Sequence, residues 1–197
     1  MVFDLTTSLN NIKVDSVKYG LALILVYLVS GRFDEILRGA LLEKQSLMIL
    51  LFILIGFAAY QLLVVSFVNT SSLSGSVKMV ANNFLKWGTM FIVAQLLSGG
   101  KLNDPQWLEY VAYVLAGFAT YDILTSRLSD NASVAAMESN ARNSVNDVIK
   151  FATMFVVARW LSSGAFNSEW AWQAGAFTVG VAAYDYLLHS LVAGINV

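Results

Sequence analysis

The stretch that decides the fold is KWGTMFIVAQLLSG, residues 86–99. Two related segments are KFATMFVVARWLSS, residues 150–163, and KYGLALILVYLVSG, residues 18–31. Each begins with lysine, an aromatic residue and a small residue, continues with an apolar run, and reaches a serine twelve residues after the lysine. A spacing that recurs three times is typical of an internally repeated fold.

A second motif follows each of these segments. It reads GFAAYQ at 56–61, GFATYD at 117–122 and GVAAYD at 180–185. The two motifs together predict three copies of one two-helix hairpin within a single domain, residues 1–197. The approximate bounds of the repeats are 17–66, 85–126 and 149–192, and the linkers between them are 69–83 and 126–147.

The composition predicts a membrane protein. Hydrophobic residues make up 57% of the 197 positions and charged residues 13%, whereas soluble domains carry about 25% charged residues. The mean hydropathy is +0.65. Because no lipid-facing backbone can stay unpaired, helices are the expected form. We therefore expect an all-α integral membrane protein with six short transmembrane helices, two in each hairpin.

Apolar residues at helical spacing precede each repeat. The three sets are Leu5, Leu9 and Ile12; Val77, Val80, Phe84 and Trp87; and Val134, Met137, Ala141, Val145 and Val148. One interpretation is an amphipathic lead-in helix on the membrane surface. The other is that these residues form the first turns of the long first helices.

Basic residues are more frequent on the side of the termini and linkers than in the hairpin tips, seven against four. The positive-inside rule then places the termini and linkers on the cytosolic side of the membrane. The repeated tyrosines suit membrane–water interfaces. They are Tyr60, Tyr121 and Tyr184.

Charged residues recur at the ends of the predicted helices. Lys18, Lys86 and Lys150 open the first helices, and the carboxylates of Asp122 and Asp185 close second helices on the same side, with Gln61 in the first copy. Pairs between neighbouring hairpins are therefore expected. We favour an interface clamp over a coupling or proton site, although ionisable groups in membranes are often functional.

Three glycines recur in the second helices, at Gly56, Gly117 and Gly180. With alanine two positions later, they predict close contacts between helices rather than a phosphate-binding loop. Arg159 interrupts the apolar run in the first helix of the third repeat. It lies near the end of that run, so we expect its guanidinium to reach the lipid headgroups rather than to line an ion pathway.

Several kinds of chemistry are unsupported by the sequence. The chain has no cysteine and one histidine, His189, so a thiolate nucleophile, a disulfide or a cysteine–histidine metal site is not expected. A formal net charge of −1 gives no basic field for nucleic acid. We expect no enzyme activity, no catalytic residues, no cofactor and no metal.

The second copy carries the most distinctive pattern: MFIVA at 90–94, LLSGG at 96–100, Trp107 and GFATYD at 117–122. It resembles the small repeat-built inner-membrane or minor capsid proteins of nucleocytoplasmic large DNA viruses, of the chlorella-virus type. The resemblance implies a virion structural protein that anchors the capsid shell to the inner membrane, with its linkers and termini facing the capsid. The expected partners are the lipid bilayer and other capsid or membrane proteins, and a homo-oligomer is a possible state. The alternative is a channel or transporter for ions or small solutes built from internal repeats.

Overall fold

A computed structural model describes residues 5–29, 44–73, 75–125, 137–188 and 192. These residues form six helices and no strand. The helices are α1 Leu5–Val29, α2 Lys44–Ala59, α3 Gly75–Leu97, α4 Pro105–Thr120, α5 Ser139–Leu161 and α6 Ser168–Ala183. The all-helical prediction agrees with this part of the chain. Some sequence predictions fall outside it, namely those on Ser30–Gly31, the hairpin tip at 32–43, the linker segment 126–136, His189 and the two termini.

The second helix of each hairpin continues into a π-helical turn. The turns are Tyr60–Val64 after α2, Tyr121–Thr125 after α4 and Tyr184–Leu188 after α6. Each begins at the repeated tyrosine and includes the Gln or Asp that follows it. Because π turns are rare and frequently occur at functional sites, their recurrence singles out this end of the bundle.

Local sequence explains how the second and third hairpins turn. Gly99 and Ser163 adopt left-handed conformations, with φ of 75° and 52°, just after α3 and α5. The next helices are capped by side chains, because Asp104 Oδ1 accepts from Gln106 N at 3.0 Å and Asn167 Oδ1 accepts from Trp170 N at 2.9 Å. Capping of this kind satisfies backbone donors at a helix start.

The prediction of six transmembrane helices is wrong for the residues that the structure describes. None of their helices is long and apolar enough to cross a membrane. The longer helices α1, α3 and α5 begin with polar and charged turns. The apolar helices α2, α4 and α6 have 16 residues each before the π turn.

The lead-in segments are not separate helices. Leu5 and Val77 already lie in the continuous helices α1 and α3, and Ala141 lies in α5. Of the two interpretations, the first turns of long helices describe the structure, and separate amphipathic helices do not. Val134 lies outside the described residues.

The three hairpins close into a ring. The second helix of each hairpin packs against the first helix of the next one: α2 against α3, α4 against α5, and α6 against α1. The repeated glycines lie at these contacts. An added Cβ would lie 3.2 Å from Met90 Cα at Gly56, 2.7 Å from Met154 Cα at Gly117, and 2.6 Å from Ala22 Cα at Gly180. The last contact joins the third hairpin to the first.

An aromatic core fills the centre of the ring. It contains the residue after each repeated lysine, which is Tyr19, Trp87 or Phe151, and the residue after each repeated glycine. Trp87 stacks on Phe118 with 4.9 Å between ring centroids. Such pairs add to the stabilisation from burying apolar surface. The core therefore draws on all three copies of the repeat.

Candidate functional site

The first lysine lies between two carboxylates. Lys18 Nζ donates to both carboxylate oxygens of Asp185 at 2.8 Å and forms a second salt bridge with Asp147. Lys18 is on α1, whereas both aspartates belong to the third hairpin. The ionic contact therefore lies at the same ring closure as the contact between Gly180 and Ala22.

The second lysine has one carboxylate partner among the described residues. Lys86 Nζ donates to Asp15 Oδ2 at 2.7 Å and lies 5.1 Å from the centroid of the Phe57 ring. The position that holds aspartate in the other copies is Gln61, which is buried. The electrostatic partner thus comes from α1 of the preceding hairpin.

The third lysine reaches its aspartate through an amide. Lys150 Nζ donates to Asn83 Oδ1 at 3.0 Å, and Asn83 Nδ2 donates to Asp122 Oδ2 at 2.6 Å. Lys150 also lies 5.5 Å from the centroid of the Phe118 ring. The asparagine side chain can connect the two charges because it both accepts and donates.

One rule relates the three lysines. Each contacts the preceding hairpin in the ring at the residue three positions before that hairpin's own lysine. These residues are Asp147, Asp15 and Asn83. This position was not predicted from the sequence. Its signal there is an Asp or Asn three residues before the repeated lysine in every copy. We call the three lysines, these three residues, Gln61, Asp122 and Asp185 the ionic ring.

Two aspartates of the ionic ring are buried. The exposed fraction is 0% for Asp122 and 4% for Asp185. Burial, and after it a hydrogen bond with Asp147, raise the pKa of Asp185 to about 6 against the opposing effect of Lys18. Burial also raises the pKa of Asp122, opposed by the hydrogen bond from Asn83 and by Lys150. Both carboxyls therefore hold a proton more readily than exposed ones.

The lysine pKa values shift in opposite directions. Burial lowers the pKa of Lys150, against the attraction of Asp147 and Asp122. Burial disfavours the charged form of Lys18 as well, but Asp147 and Asp185 outweigh it and its pKa is raised. The cation at the closure between α6 and α1 is thus firmly protonated, and the nearby carboxyl pair can take up a proton near pH 6.

The repeated tyrosines start the π turns beside this ring. Tyr184 and Tyr121 are buried, with 0% and 5% exposed, and Tyr60 is half-buried. The interfacial position expected from the sequence is therefore wrong for Tyr121 and Tyr184, because they pack inside the bundle. Within the described ranges, no group of three His, Cys, Asp or Glu side chains could hold a metal ion.

The arrangement can hold three hairpins in register and bind a proton. It contains buried carboxyls and lysines, but the contacts of these groups are with each other and with amides. Comparison with family models, with curated proteins and with solved structures gave no match for the chain. The resemblance to viral inner-membrane proteins thus depends on the sequence motifs alone and stays a prediction.

Proposed function

We propose that the chain is a structural protein that associates with lipid and anchors other proteins to it, without enzyme activity. The observation that carries this proposal is the distribution of exposed apolar side chains. Large apolar side chains are exposed on α2, α3, α4, α5 and α6. Exposed apolar surface of this extent marks contact with a membrane or with other proteins, and a lipid surface is the apolar medium that we favour.

The most exposed of these side chains support lipid as that medium. Trp160 on α5 is 70% exposed and Trp172 on α6 is 69% exposed. Both lie near the end of the bundle that carries the turns at 98–100 and 162–164, which we call the tip end. Tryptophan is enriched where a protein meets the boundary between lipid and water. The tip end is therefore our candidate for the interfacial region.

The ionic ring supports an architectural role rather than turnover. Its lysines contact the neighbouring hairpin, and one of its contacts closes the ring. Breaking a buried ion pair by removing one partner leaves a costly uncompensated charge. A set of such pairs therefore fixes the relative position of the hairpins, which is what an anchor needs.

The viral setting is the finer part of the proposal. The resemblance in the second copy would place such an anchor at an inner membrane, beneath a capsid shell. In that setting the polar starts of α3 and α5 are available to protein partners, because Lys78 and Arg142 are exposed there. Cross-linking through Lys78 in purified virions, followed by mass spectrometry, would identify such a partner.

Lipid contact can be tested with single-tryptophan variants. In one, Trp172 is kept and the other four tryptophans are replaced by phenylalanine; the matched variant keeps Trp87, which is 9% exposed. Purified chain is mixed with phosphatidylcholine vesicles that carry brominated acyl chains, and flotation and fluorescence quenching are measured. We expect flotation with the vesicles and quenching of Trp172 well above that of Trp87. Absence of flotation, or equal quenching, would contradict the proposal.

A measurement of proton flux distinguishes the transport alternative from the anchor. Proteoliposomes with the full chain are loaded with a pH-sensitive dye, and proton leak is compared with that of Asp185→Asn. An anchor gives no leak above protein-free vesicles in either case. A leak that depends on Asp185 would replace the anchor by the proton-coupled function.

A further inference from the structure

A half-open cavity of about 440 Å³ lies between the helices of the bundle, from the aromatic core to the tip end. Side chains from α1, α3, α4, α5 and α6 line it. Its apolar wall includes Leu23, Phe91, Phe118, Phe151, Phe155 and Phe177. The volume falls within the range of about 300–1,000 Å³ in which small-molecule sites occur, and such sites are mostly apolar with a few placed polar groups.

The polar groups of the cavity are concentrated toward the tip end. They are Tyr110, Tyr113, Arg159, Ser162 and Gln173. Four of them lie in the first six residues of α4 or α6 or at the end of α5, and Tyr113 lies in the middle of α4, whereas the opposite end of the cavity reaches Trp87 and Phe151 of the core. The cavity is therefore amphipathic along its length, which from Phe151 to Ser162 is about 16 Å of helix.

Among the described residues that line the cavity, Arg159 alone is permanently charged. Its Nε donates to Ala165 O at 2.9 Å, and its guanidinium lies so close to Gly164 that an added Cβ would be 2.5 Å from Nε. The turn at 162–164 therefore fixes the position of the Nε atom of Arg159. In the part of the chain that the structure describes, no carboxylate pairs with Arg159, so its terminal nitrogens can take an oxyanion.

One acid on a lining helix contacts a tyrosine of the cavity wall. Glu109 on α4 accepts a hydrogen bond from the Tyr113 hydroxyl. This hydrogen bond fixes the side chain of Tyr113. The positive charge of Arg159 is then the feature of the lining that selects a ligand. An arginine fork matches the two oxygens of a carboxylate in geometry and charge.

We propose that this cavity binds a single-chain anionic amphiphile, a long-chain carboxylate, with its hydrocarbon against the aromatic wall and its carboxylate on Arg159. This site differs from the lipid contact of the exterior, because it lies among five helices and takes one ligand molecule. A free fatty acid and the anionic end of a larger lipid share this chemistry. The uncharged alcohol of equal length lacks the anion and retains the chain.

The test is equilibrium binding of radiolabelled dodecanoate to the purified full-length chain, below the micelle concentration, with dodecan-1-ol as the uncharged comparator. We expect saturable binding of one dodecanoate per chain and weaker binding of the alcohol. A two-chain anionic phospholipid should not displace the dodecanoate if the source is a free acid, and should displace it if the source is a membrane lipid. Absence of saturable dodecanoate binding would overturn the proposal.

Two variants locate the site. Arg159→Gln should weaken dodecanoate binding about ten- to hundred-fold, the usual worth of a hydrogen bond to a charged group, with no change for dodecan-1-ol. Arg159→Lys keeps the positive charge and loses the planar guanidinium. Its affinity for dodecanoate should lie between those of the parent chain and Arg159→Gln. Equal binding of dodecanoate by the parent chain and Arg159→Gln would refute the role of Arg159.

A filling variant and a surface variant separate the cavity from the apolar exterior. Ala174→Trp places a large side chain in the lining and should weaken both ligands at least tenfold, while Val156→Ser, on the exposed side of α5, should change neither. If circular dichroism shows that Ala174→Trp is unfolded, Ala158→Leu is the second filling variant. Weakening by Val156→Ser as strong as by the filling variant would place the ligand outside. The Arg159→Gln variant should still float with vesicles. A failure of the proposed fatty-acid site and a failure of the proposed lipid contact are therefore distinguishable.

Discussion

The contact between α6 and α1 and the contact between α2 and α3 have the same packing and different charges. In both, a glycine of the second helix lies against the residue four positions after a lysine, Ala22 or Met90. At the first contact Lys18 lies between two aspartates, whereas at the second Lys86 has Asp15 and the neutral Gln61 position. Close packing therefore sets the geometry of the ring, and the charges at each contact can vary.

The largest expected effect comes from removing the two lysines in turn. Lys18→Met leaves two carboxylates without a counter-charge, and we expect a loss of about 3–5 kcal/mol in unfolding free energy. Lys86→Met leaves one carboxylate, and we expect about 1–3 kcal/mol. Urea unfolding followed by circular dichroism measures both.

The control for the lysines is Lys78→Met. Lys78 is exposed, so its replacement should stay within about 0.5 kcal/mol of the parent. Equal losses for Lys18→Met and Lys86→Met would mean that the difference in charge between the two contacts has no energetic consequence.

A smaller effect is expected from the glycines. Gly180→Ala should cost about 1–3 kcal/mol through overpacking, because the new Cβ would meet backbone of Ala22 at 2.6 Å. Gly56→Ala should cost less, because its nearest atoms lie at 3.2 Å and one belongs to the flexible Met90 side chain. Thermal and urea unfolding of the two variants measure the difference.

Gly175→Ala is the matched control on α6. Nothing lies within 4 Å of a Cβ at that position, so replacement of a helical glycine should stabilise by up to about 1 kcal/mol. If Gly180→Ala behaved like Gly175→Ala, α6 would not lie against α1 as the structure has it.

The smallest effect concerns pH at the contact between α6 and α1. The pKa of Asp185 is about 6 in the folded chain, above its ordinary value of 3.8, so the folded state holds this proton better than the unfolded state does. The contribution of Asp185 to the unfolding free energy is then highest below about pH 4, falls on the order of 1–2 kcal/mol as pH rises to about 6, and levels off. Asp185→Asn should flatten this part of the curve.

The matched variant for this pH effect is Gln61→Asn at the contact between α2 and α3. It changes a buried amide and adds no carboxyl, so the fall between pH 4 and 6 should persist. A curve for Asp185→Asn that keeps the parent's slope over the same interval would assign the proton to another group.

The helical hairpins could be predicted because the signal is local. The spacing from lysine to serine and the two repeated motifs report on helix, turn and helix within one copy. The cyclic order of contacts between hairpins could not be predicted. Nothing in the sequence around Lys18 specifies that this residue contacts the third hairpin rather than the first hairpin, to which it belongs. The partners Asp147 and Asp15 follow from that order, and so they were missed.

The transmembrane prediction failed for a different physical reason. Composition records how much apolar surface a chain has, but crossing a membrane needs an uninterrupted apolar length. Lys13, Asp15 and Lys18 lie within α1, and no helix among the described residues combines the length and the apolar content that a span requires.

Arg159 shows a limit that concerns a site. Its sequence position near the end of an apolar run predicts a side chain that reaches headgroups, and this stays a prediction. The structure also places Arg159 in the lining of the half-open cavity, to which five helices contribute. A cavity arises from the assembly of all three hairpins, so no single copy of the repeat carries a signal for it.

The closed ring is tested most directly by a double-mutant cycle across the contact between α6 and α1. Unfolding free energies at pH 7 are measured for the parent, Lys18→Met, Asp185→Asn and the double variant, with Lys86→Met and Asp185→Asn as the control pair. Because Asp185→Asn removes one of the two carboxylates that Lys18→Met leaves unpaired, the double variant should be more stable than the sum of single effects by at least about 1 kcal/mol. The control pair should be additive within about 0.5 kcal/mol. Additivity of Lys18→Met and Asp185→Asn would contradict the closure of the ring.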